Sequence, residues 1–390
     1  VWGARQASYG VDADPTGASH VSFPMSQLAL VTYGNETVEQ EAFTGRPFGV
    51  PVIQVGQDWS FSGARIPLYG LTSNTGDGFD ASGAPDDALN MILDAVHGVI
   101  RNLVGEGLTT GSTVTDIVTD GAEEFEQYDL IPLRQDGLLT PNRVQWGYVT
   151  AKADAANYTI APALASAPDD TAIIPGARLY RPQSGGGSLI QLVYRLDSTA
   201  DLHLLDGRIT SLKVSIGARQ PCYVEFSMRG TSWAEVAVGT KASLPAAISS
   251  VSVPTILGLH SPICVNGTNY PSKLIEVDYG LSTEFDESTE SDQGRDGDDV
   301  VDYNVSITAT PKYATTFSAL QQPGASYPVL VQAGGGDMTG NRVNSLAAGA
   351  PNAQVESFAP TEDGDRIRTN LVMRVIDPGG TVPPFQSGRT

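Results

Sequence analysis

Two stretches with a strict two-residue period limit what this chain can fold into. They read "LIEVDYGL" from residue 274 and "VVDYNVSIT" from residue 300. Their apolar positions are Ile275, Val277, Tyr279 and Leu281 in the first, and Val301, Tyr303, Val305 and Ile307 in the second. Such alternation is typical of β-strands that bury one face. The 42 Gly and 25 Pro residues, many of them between short alternating runs, favour frequent turns. We therefore expect a mainly β fold.

The segment between these two strands, "EFDESTESDQGRDGDD" at 284–299, is strongly acidic. It holds eight carboxylates and one arginine in sixteen positions. A calcium-binding EF-hand loop needs an oxygen ligand at position 3 and a bidentate Glu at position 12. Counted from Asp292, these positions hold Gly294 and Tyr303, so the pattern fails. We expect a long solvated loop between two strands, with a looser calcium site as the alternative.

The charge balance argues against a nucleic-acid clamp. The chain has 390 residues, of which 23 are basic and 44 acidic, and its net charge is −21. Proteins that grip nucleic acid need clustered basic residues, and this sequence has no such cluster. Apolar residues make up 41% of the chain, which fits a globular protein with real cores. No apolar run approaches the roughly 20 residues that a spanning helix needs, so no membrane partner is expected.

Motifs for catalysis are weak throughout the sequence. The four histidines show no HxxxH or HxH spacing, and His97 is expected to be a partly exposed helix residue. "GTSWA" at 230–234 resembles a nucleophile elbow, but it lacks the final Gly and a following helix pattern. Cys222 and Cys264 give no disulfide framework, and we expect buried free thiols. The sequence therefore predicts no catalytic residue, no metal site, no cofactor and no enzyme activity.

An internal repeat is the most informative long-range feature. "LVTYGNETVEQEAFTGRPFG" at 30–49 and "EVDYGLSTEFDESTESDQGRDG" at 276–297 each run from a strand ending in Tyr-Gly into an acidic loop that contains Gly-Arg. Each loop returns as a long strand, and a candidate helix, a strand and a final strand pair follow in the same order. The final pair of the first copy alternates at Leu212, Val214 and Ile216, and at Val224, Phe226 and Met228. The shared order of elements favours a duplication.

The repeat predicts two tandem antiparallel β-barrel or sandwich domains, each with one flanking helix. The helices are expected at "PDDALNMILDAVHGVIRNLV", opened by Pro85 and Asp86, and at "YATTFSALQQ". A small outward-facing β module is inserted into the first copy. The predicted boundaries are 1–104 plus 184–245 for the first barrel, 105–183 for the insert and 246–390 for the second barrel.

Four segments carry a resemblance to a known family. They are "ARQASYGVDADPT", "GAPDDALNMILDAVHGV", "ARLYRPQSGGGSLIQLVYRLDSTADLHLLDGRITSLKVSIGARQPCYVEFSMRG" and "GNRVNSLAAGAPNAQVESFAPTEDGDRIRTNLVMRV". The third has a Tyr-x-Pro before a strand and ends in F-x-x-x-G, and the last has an acidic-Gly turn before its closing strand. These segments resemble the tail tube proteins of long-tailed, non-contractile bacteriophages. The family often has Glu where this chain has Gln6, and the likeness covers little of the insert.

That resemblance implies a structural virion protein rather than an enzyme. Sheets would join across subunits into rings, and the rings would stack head to tail into a hollow tail tube. A chain with two barrels would close a six-barrel ring as a trimer with pseudo-six-fold symmetry. The implied partners are further copies of the chain, the tape measure protein, tail-end proteins, and double-stranded DNA that passes an acidic lumen without specific binding. The implied location is the virion tail, after assembly in the host cytoplasm.

The resemblance also places the long strand-to-strand loops, 35–49 and 284–299, against the adjacent ring. The candidate ring-stacking residues are the charged side chains of these loops: Glu36, Glu39, Glu41, Arg46, Glu284, Asp286, Glu287, Glu290, Asp292, Arg295, Asp296, Asp298 and Asp299. Arg295 stands alone among carboxylates, and we expect it to pair with a neighbouring subunit.

Two other classes of function stay open at this point. One is a β-sandwich carbohydrate-binding or adhesin module that holds calcium at residues 292–299. Such a module needs an exposed aromatic platform, and the four Trp residues are not clustered in the sequence. The other is a hydrolase with paired Asp and Glu residues, which needs a cleft that sequence alone does not reveal.

Overall fold

The fold is mainly β, in agreement with the alternating sequence patterns. A computed structural model describes residues 1–6, 9–12, 14–27, 30–39, 52–69, 87–121, 125–135, 143–168, 172–247, 255–287, 295–313, 320, 322, 324–335, 345–364, 366–379 and 383–390. The predicted second helix, "YATTFSALQQ", falls almost entirely outside these residues.

The first elements in chain order are β1 (Trp2–Gln6), β2 (Val21–Ser22), β3 (Leu30–Glu39), β4 (Val52–Pro67), α1 (Ala88–His97) and β5 (Gly98–Leu103). They are followed by β6 (Glu106–Gly107), β7 (Asp116–Val118), β8 (Leu130–Gln135), β9 (Arg143–Lys152), β10 (Asn157–Ala161) and β11 (Ile173–Ile174). Next come β12 (Ala177–Pro182), β13 (Leu189–Arg195), β14 (Ala200–Gly217), β15 (Tyr223–Gly230) and β16 (Ser232–Ala237).

The last third of the chain contains β17 (Pro262–Val265), β18 (Thr268–Asp278), β19 (Leu281–Glu287), β20 (Arg295–Tyr303) and β21 (Ser306–Pro311). These are followed by β22 (Tyr327–Gly334), β23 (Ser345–Asp363), β24 (Arg366–Val375) and β25 (Gln386–Arg389).

Six of these strands close into a barrel, which we call the C-terminal barrel. The antiparallel pairing runs β17–β18–β21–β24–β23–β22 and returns from β22 to β17. A two-residue turn, Asn266-Gly267, joins β17 to β18, and both residues have positive φ. Asn-Gly is the favoured sequence for such a turn because its backbone twist matches that of the strands.

The N-terminal sheet is built in a similar order but stays open. Its pairing runs β3–β4–β15–β14–β13–β1–β2, also antiparallel throughout. In the described part of the chain, no strand links β2 back to β3. Apolar side chains from this sheet and from the C-terminal barrel belong to one continuous core.

Matched rows of paired residues cross the N-terminal sheet and the C-terminal barrel. In the sheet, the successive cross-strand partners are Val31, Phe61, Met228 and Ile209, on β3, β4, β15 and β14. In the barrel, the successive partners are Val277, Ile307, Met373 and Val355, on β18, β21, β24 and β23. An irregularity in the ladder directly follows Ile209 on β14 and Val355 on β23. The two sets of four strands therefore share their order, the register of this row and the irregularity beside it, although the β4–β15 ladder has a further irregularity between Phe226 and Met228 that the β21–β24 ladder lacks.

The sheet and the barrel are joined edge to edge within the chain. Residues Lys213–Gly217 of β14 pair with Leu274–Asp278 of β18, and the other side of β18 pairs with β21. The facing pairs include Val214 with Val277 and Ile216 with Ile275, all of them buried. We call this contact the internal junction.

A third unit is a six-stranded sheet with the order β6–β11–β8–β9–β10–β7. It has its own apolar core, which also includes Cys264 and Leu330 of the C-terminal barrel. The Trp146 indole N–H donates to Ser345 Oγ at 2.7 Å, and the Gln332 amide donates to the Val144 carbonyl at 2.9 Å. The inserted sheet thus packs on the C-terminal barrel.

The helix is shorter than its apolar pattern predicts. Asp87 caps its first turn by accepting from the Asn90 N–H at 2.9 Å, so the start predicted at Pro85 and Asp86 is too early. The helix ends at Gly98 with φ of 86°, and the chain continues as β5 instead of the predicted helical turn. A Cβ at Gly98 would lie 2.6 Å from the Gly186 carbonyl oxygen, which explains why the chain needs glycine here.

Most predicted alternation is confirmed, with one exception. Ile275, Val277 and Tyr279 are buried. Val301, however, is 52% exposed. The predicted strand is in fact two strands, because β20 ends at Tyr303 and β21 begins at Ser306, and the buried positions are even-numbered in β20 but odd-numbered in β21. The final pair of the first copy buries all six predicted apolar positions: Leu212, Val214, Ile216, Val224, Phe226 and Met228.

Both cysteines and His97 are buried. Cys222 and Cys264 are free and buried, as predicted, and burial raises the pKa of each thiol to about 12. The prediction that His97 is partly exposed is wrong. Its ring is fully buried between Tyr279 and Phe385, and its Nδ1 lies 2.8 Å from the Leu93 carbonyl oxygen.

Candidate assembly surface

Two long β-hairpins extend from the same end of the joined sheets. Hairpin A is formed by β3 and β4, and hairpin B by β19 and β20. β15 pairs with β4 only from Trp59 to Pro67, so the rest of β4 continues with β3 past the sheet. Hairpin B lies directly beyond the Asp278–Ser306 pair, where Asp278 is the last residue of β18 and Ser306 the first of β21. Since β4 and β21 hold matched positions, both hairpins leave the body in the same direction.

Hairpin B is fixed to the N-terminal sheet by a buried ion pair. The Asp298 carboxylate has no exposed surface, and the Arg229 guanidinium of β15 donates to both of its oxygens, at 2.8 and 3.0 Å. Arg208 of β14 donates to the Asp298 carbonyl at 2.6 Å. Burial lowers the pKa of Arg208, and the charges of Asp298 and Asp299 oppose that shift. These contacts hold the base of the hairpin in one orientation.

The ring of Phe285 lies between Arg229 and Arg295 and adds to the contacts that hold hairpin B. The guanidinium carbon of Arg229 lies 3.9 Å from the ring centroid of Phe285, and that of Arg295 lies 4.0 Å from it. Cation–π contacts at this distance stabilise both guanidinium positions. Arg229, Phe285 and Arg295 also line a cavity of about 420 Å³ between the two hairpins, together with Tyr33 and Trp59.

Arg295 connects the two hairpins within one chain. Its guanidinium donates to Glu36 Oε2 of β3 at 2.9 Å. Glu36 and Phe285 thus contact Arg295 within the chain, and the pairing of Arg295 with a neighbouring subunit stays a prediction. Hairpin A is supported further by β16, where the Trp233 indole N–H donates to the Gly34 carbonyl at 2.9 Å.

The candidate stacking residues occupy three kinds of position. Glu36, Glu284, Asp286, Glu287 and Asp299 are exposed on hairpin strands, Arg295 is half-buried, and Asp298 is buried at the hairpin base. Glu39 and Asp296 are placed on β3 and β20 by their backbone. Glu41, Arg46, Glu290 and Asp292 lie outside the described residues.

The expectation of one long loop over 284–299 is wrong in part. Residues 284–287 and 295–299 lie on β19 and β20, and Phe285 pairs with Asp298 across the hairpin. Sequence reasoning also missed Arg208 and Arg229, which hold hairpin B. No local signal marks them, since each lies on a strand well separated from the acidic segment in sequence.

Two strand edges at the far sides of the molecule lack a partner strand. β3 pairs with β4 on one side, and in the described part of the chain no strand pairs with its other side. From Ser357 to Asp363, β23 pairs with β24, and again no described strand lies along the opposite side. Leu30, on the open edge of β3, is 77% exposed. In the matched rows, β3 holds the position of β18, and β23 holds the position of β14. The two edges therefore correspond to the two strands of the internal junction.

Comparison with known proteins gives no family for this chain. No family model matches the sequence. A search of curated proteins also finds no match. Within the described residues, no group of three or more His, Cys, Asp or Glu side chains is arranged to hold a metal ion. In that same part of the chain, no helix combines the length and apolar character needed to cross a membrane.

Proposed function

We propose that this chain is a structural virion protein that polymerises into the tail tube of a long-tailed, non-contractile phage. Copies would join into rings, as trimers with pseudo-six-fold symmetry, and the rings would stack head to tail. The single observation that carries the proposal is the internal junction. It joins two sheets with matched rows edge to edge, while no described strand pairs with the two matching edges at the far sides.

Duplication of one tube domain gives a simple origin for this arrangement. The matched rows through Phe61 and Ile307 support it, as do the two hairpins that leave matched strands. A ring of six like sheets then contains two kinds of contact, one inside each chain and one between chains. Repeating the internal junction between chains is a heterologous contact, which closes into a ring when the rotation permits.

The hairpins are suited to contact between successive rings. They extend beyond the sheets from one end, and the Arg229–Asp298 pair and the Phe285 contacts keep hairpin B in a fixed direction. In this proposal the exposed carboxylates on hairpin B meet the neighbouring ring. The net charge of −21 suits an inner wall that DNA passes without adsorbing, since like charges repel within a Debye length of about 8 Å.

The carbohydrate-binding alternative gains no support from the tryptophans. Trp2, Trp59 and Trp146 are buried, and Trp233 is half-buried with its indole N–H bound to the Gly34 carbonyl. A sugar platform needs aromatic faces open to solvent, as stacking on a ring requires both partners to approach its face. We therefore propose assembly into a tail tube and not carbohydrate binding.

Electron microscopy of the concentrated, purified chain tests the proposal. Rings and tubes are the expected result, and dispersed monomers at every concentration would overturn it. A second arm replaces residues 288–294 with Asn-Gly, which retains the Glu287–Arg295 pair at the end of hairpin B. We expect this variant to form rings that do not stack. Tubes of normal length would show that the tip of hairpin B has no part in stacking.

A further inference from the structure

We propose that the open edge of β3 in one copy pairs with the C-terminal part of β23 in the next copy, with Val31 opposite Pro360, and that Pro360 makes this contact weaker than the internal junction. The inference rests on the proposed ring assembly and adds to it a residue register and an unequal strength. The occupant of each edge is thus a second copy of the same chain.

The internal junction supplies the template for the register. The Tyr279 N–H donates to the Leu212 carbonyl at 3.0 Å, and the Ala218 N–H donates to the Lys273 carbonyl at 2.8 Å. Backbone groups of alternate residues on a strand point to the same side. Between these two bonds, Val214 therefore directs both its N–H and its C=O towards Val277, its partner across the junction.

The matched rows transfer this template to the open edges. Val214 lies opposite Val224 of β15, and Pro360 lies opposite Thr369 of β24. Val214 and Pro360 correspond to each other, because each lies two residues after a pair that holds the same place in its ladder. Those preceding pairs are Leu212 with Phe226 and Phe358 with Leu371. On the other strand, Val277 corresponds to Val31, because their partners Ile307 and Phe61 share one row. The expected pairs between copies are then Thr32 with Ala359, Val31 with Pro360 and Leu30 with Thr361.

The side chains on the two edges fit this register. In the internal junction, Lys213 and Glu276 form an ion pair at 2.9 Å. Their counterparts between copies are Ala359 and Leu30, both exposed in the single chain. An apolar contact would replace the ion pair and would remove the Leu30 side chain from water, which is favourable.

Pro360 changes the hydrogen bonding at the centre of this contact. Pro360 corresponds to Val214, whose N–H points across the internal junction to Val277. Proline has no N–H to donate. The Val31 carbonyl of the next copy would therefore find no donor, although the Val31 N–H still reaches the Pro360 carbonyl. Proline on an open strand edge also limits unwanted pairing. The contact between copies therefore has one hydrogen bond fewer than the contact within a chain.

Disulfide trapping in the full chain tests the register. The variant Leu30→Cys/Thr361→Cys puts two thiols at a non-hydrogen-bonded pair, where Cα atoms lie about 4.5 Å apart and a disulfide can form. The native Cys222 and Cys264 are buried and add little background. In the matched control, Leu30→Cys/Glu362→Cys, the second thiol is equally exposed but points to the other face. We expect covalent oligomers from the first variant and few from the second.

Replacement of the proline tests the unequal strength. Pro360→Val restores the missing donor, and we expect the concentration for half-assembly to fall about three- to tenfold, as one added hydrogen bond implies. An unchanged or higher concentration would overturn the role of Pro360. Rings without cross-links in Leu30→Cys/Thr361→Cys would overturn the register alone and leave ring assembly intact. The absence of rings from the unmodified chain would overturn ring assembly itself.

Discussion

In the part of the chain that the structure describes, the C-terminal barrel and the N-terminal sheet share their strand order and the register of their matched rows, yet only the barrel closes. In the barrel, the Asn266-Gly267 turn connects β17 directly to β18, and β17 reaches β22 on its other side. In the N-terminal sheet, the corresponding strands β1 and β3 are separated by residues 7–29, and β1 pairs with β2 instead. A short hairpin therefore decides between a closed barrel and an open sheet.

The difference also shows where the open sheet obtains its stability. β14 of the N-terminal sheet pairs with β18 of the barrel, and both contribute to one core. An open sheet has an exposed edge that favours pairing with another strand. The sheet pairs one such edge with the barrel, and no described strand pairs with the outer side of β3.

The largest expected loss of stability comes from shortening buried side chains in the matched rows. Phe61→Ala in the sheet and Ile307→Ala in the barrel each empty a fully buried site, and we expect losses of about 4 and 3 kcal/mol. Because the internal junction couples the two units, urea unfolding should show one transition that moves in both variants. Two transitions, of which each variant shifts only one, would contradict the coupling. Val11→Ala, at an exposed position outside the proposed contact between copies, serves as the control.

A second prediction concerns pH, because His97 lies where the two units meet. It contacts Tyr180 of β12 and Tyr279 beyond β18, and burial lowers its pKa to about 4. Between about pH 6.5 and pH 4 the unfolded chain binds a proton that the folded chain does not. The stability is therefore complete above about pH 6.5 and falls as the pH drops, by about 3 kcal/mol at pH 4 from this group.

Urea unfolding at pH 7 and pH 4.5 measures this dependence. In His97→Phe the ring packing is retained and the titrating group is removed, so the variant should lose less stability on acidification than the unmodified chain. Equal losses in both proteins would show that His97 does not carry the effect.

The anchor of hairpin B predicts a smaller effect. Asp298→Ala leaves Arg229 without its carboxylate, and we expect a loss of about 2 kcal/mol, reduced from that of a fully buried pair because Arg229 is partly exposed. Asp299→Ala removes the same charge at an exposed neighbouring position and should change stability little. Thermal unfolding of both variants makes the comparison, and similar shifts would argue against the anchor.

The smallest effect concerns closure itself. Gly267→Ala strains the turn, because Gly267 has a φ of 77°, and should cost about 1 kcal/mol. Gly63→Ala imposes comparable strain on β4 of the open sheet, where φ is 69°. Hydrogen exchange should rise in β17 for the first variant and not for the second. Unchanged protection of β17 would show that the turn is not what closes the barrel.

Sequence reasoning predicted the parts of this fold whose burial is periodic. Val214, Ile216, Val224 and Phe226 alternate because each strand has one face in the core, and that pattern is local. The end of α1 was missed because Val99 and Ile100 continue the helical spacing, while the close approach of Gly186 to Gly98 depends on a distant loop. Periodicity therefore predicts elements better than it predicts their ends.

The candidate surface was predictable only in outline. The acidic segment and its Tyr-Gly start predicted two strands joined by a long loop, and the repeat predicted a similar loop at 35–49, but neither pattern predicted that the strands continue as long hairpins. The burial of Asp298 depends on Arg229, which is separated from it by 69 residues. Within an acidic run, nothing distinguishes the one carboxylate that meets an arginine from those that meet water. The charge of Arg295 drew attention to it, but its partner within the chain, Glu36, lies on a strand 259 residues earlier.

The mass of the purified, full-length chain as a function of concentration is the most direct test of ring assembly. Native mass spectrometry or sedimentation velocity would follow it from dilute to concentrated solution. We predict a species of three chains, followed by larger species whose masses are multiples of that ring. A chain that stays monomeric at every concentration, or that stops at a closed dimer, would contradict edge-to-edge assembly through β3 and β23.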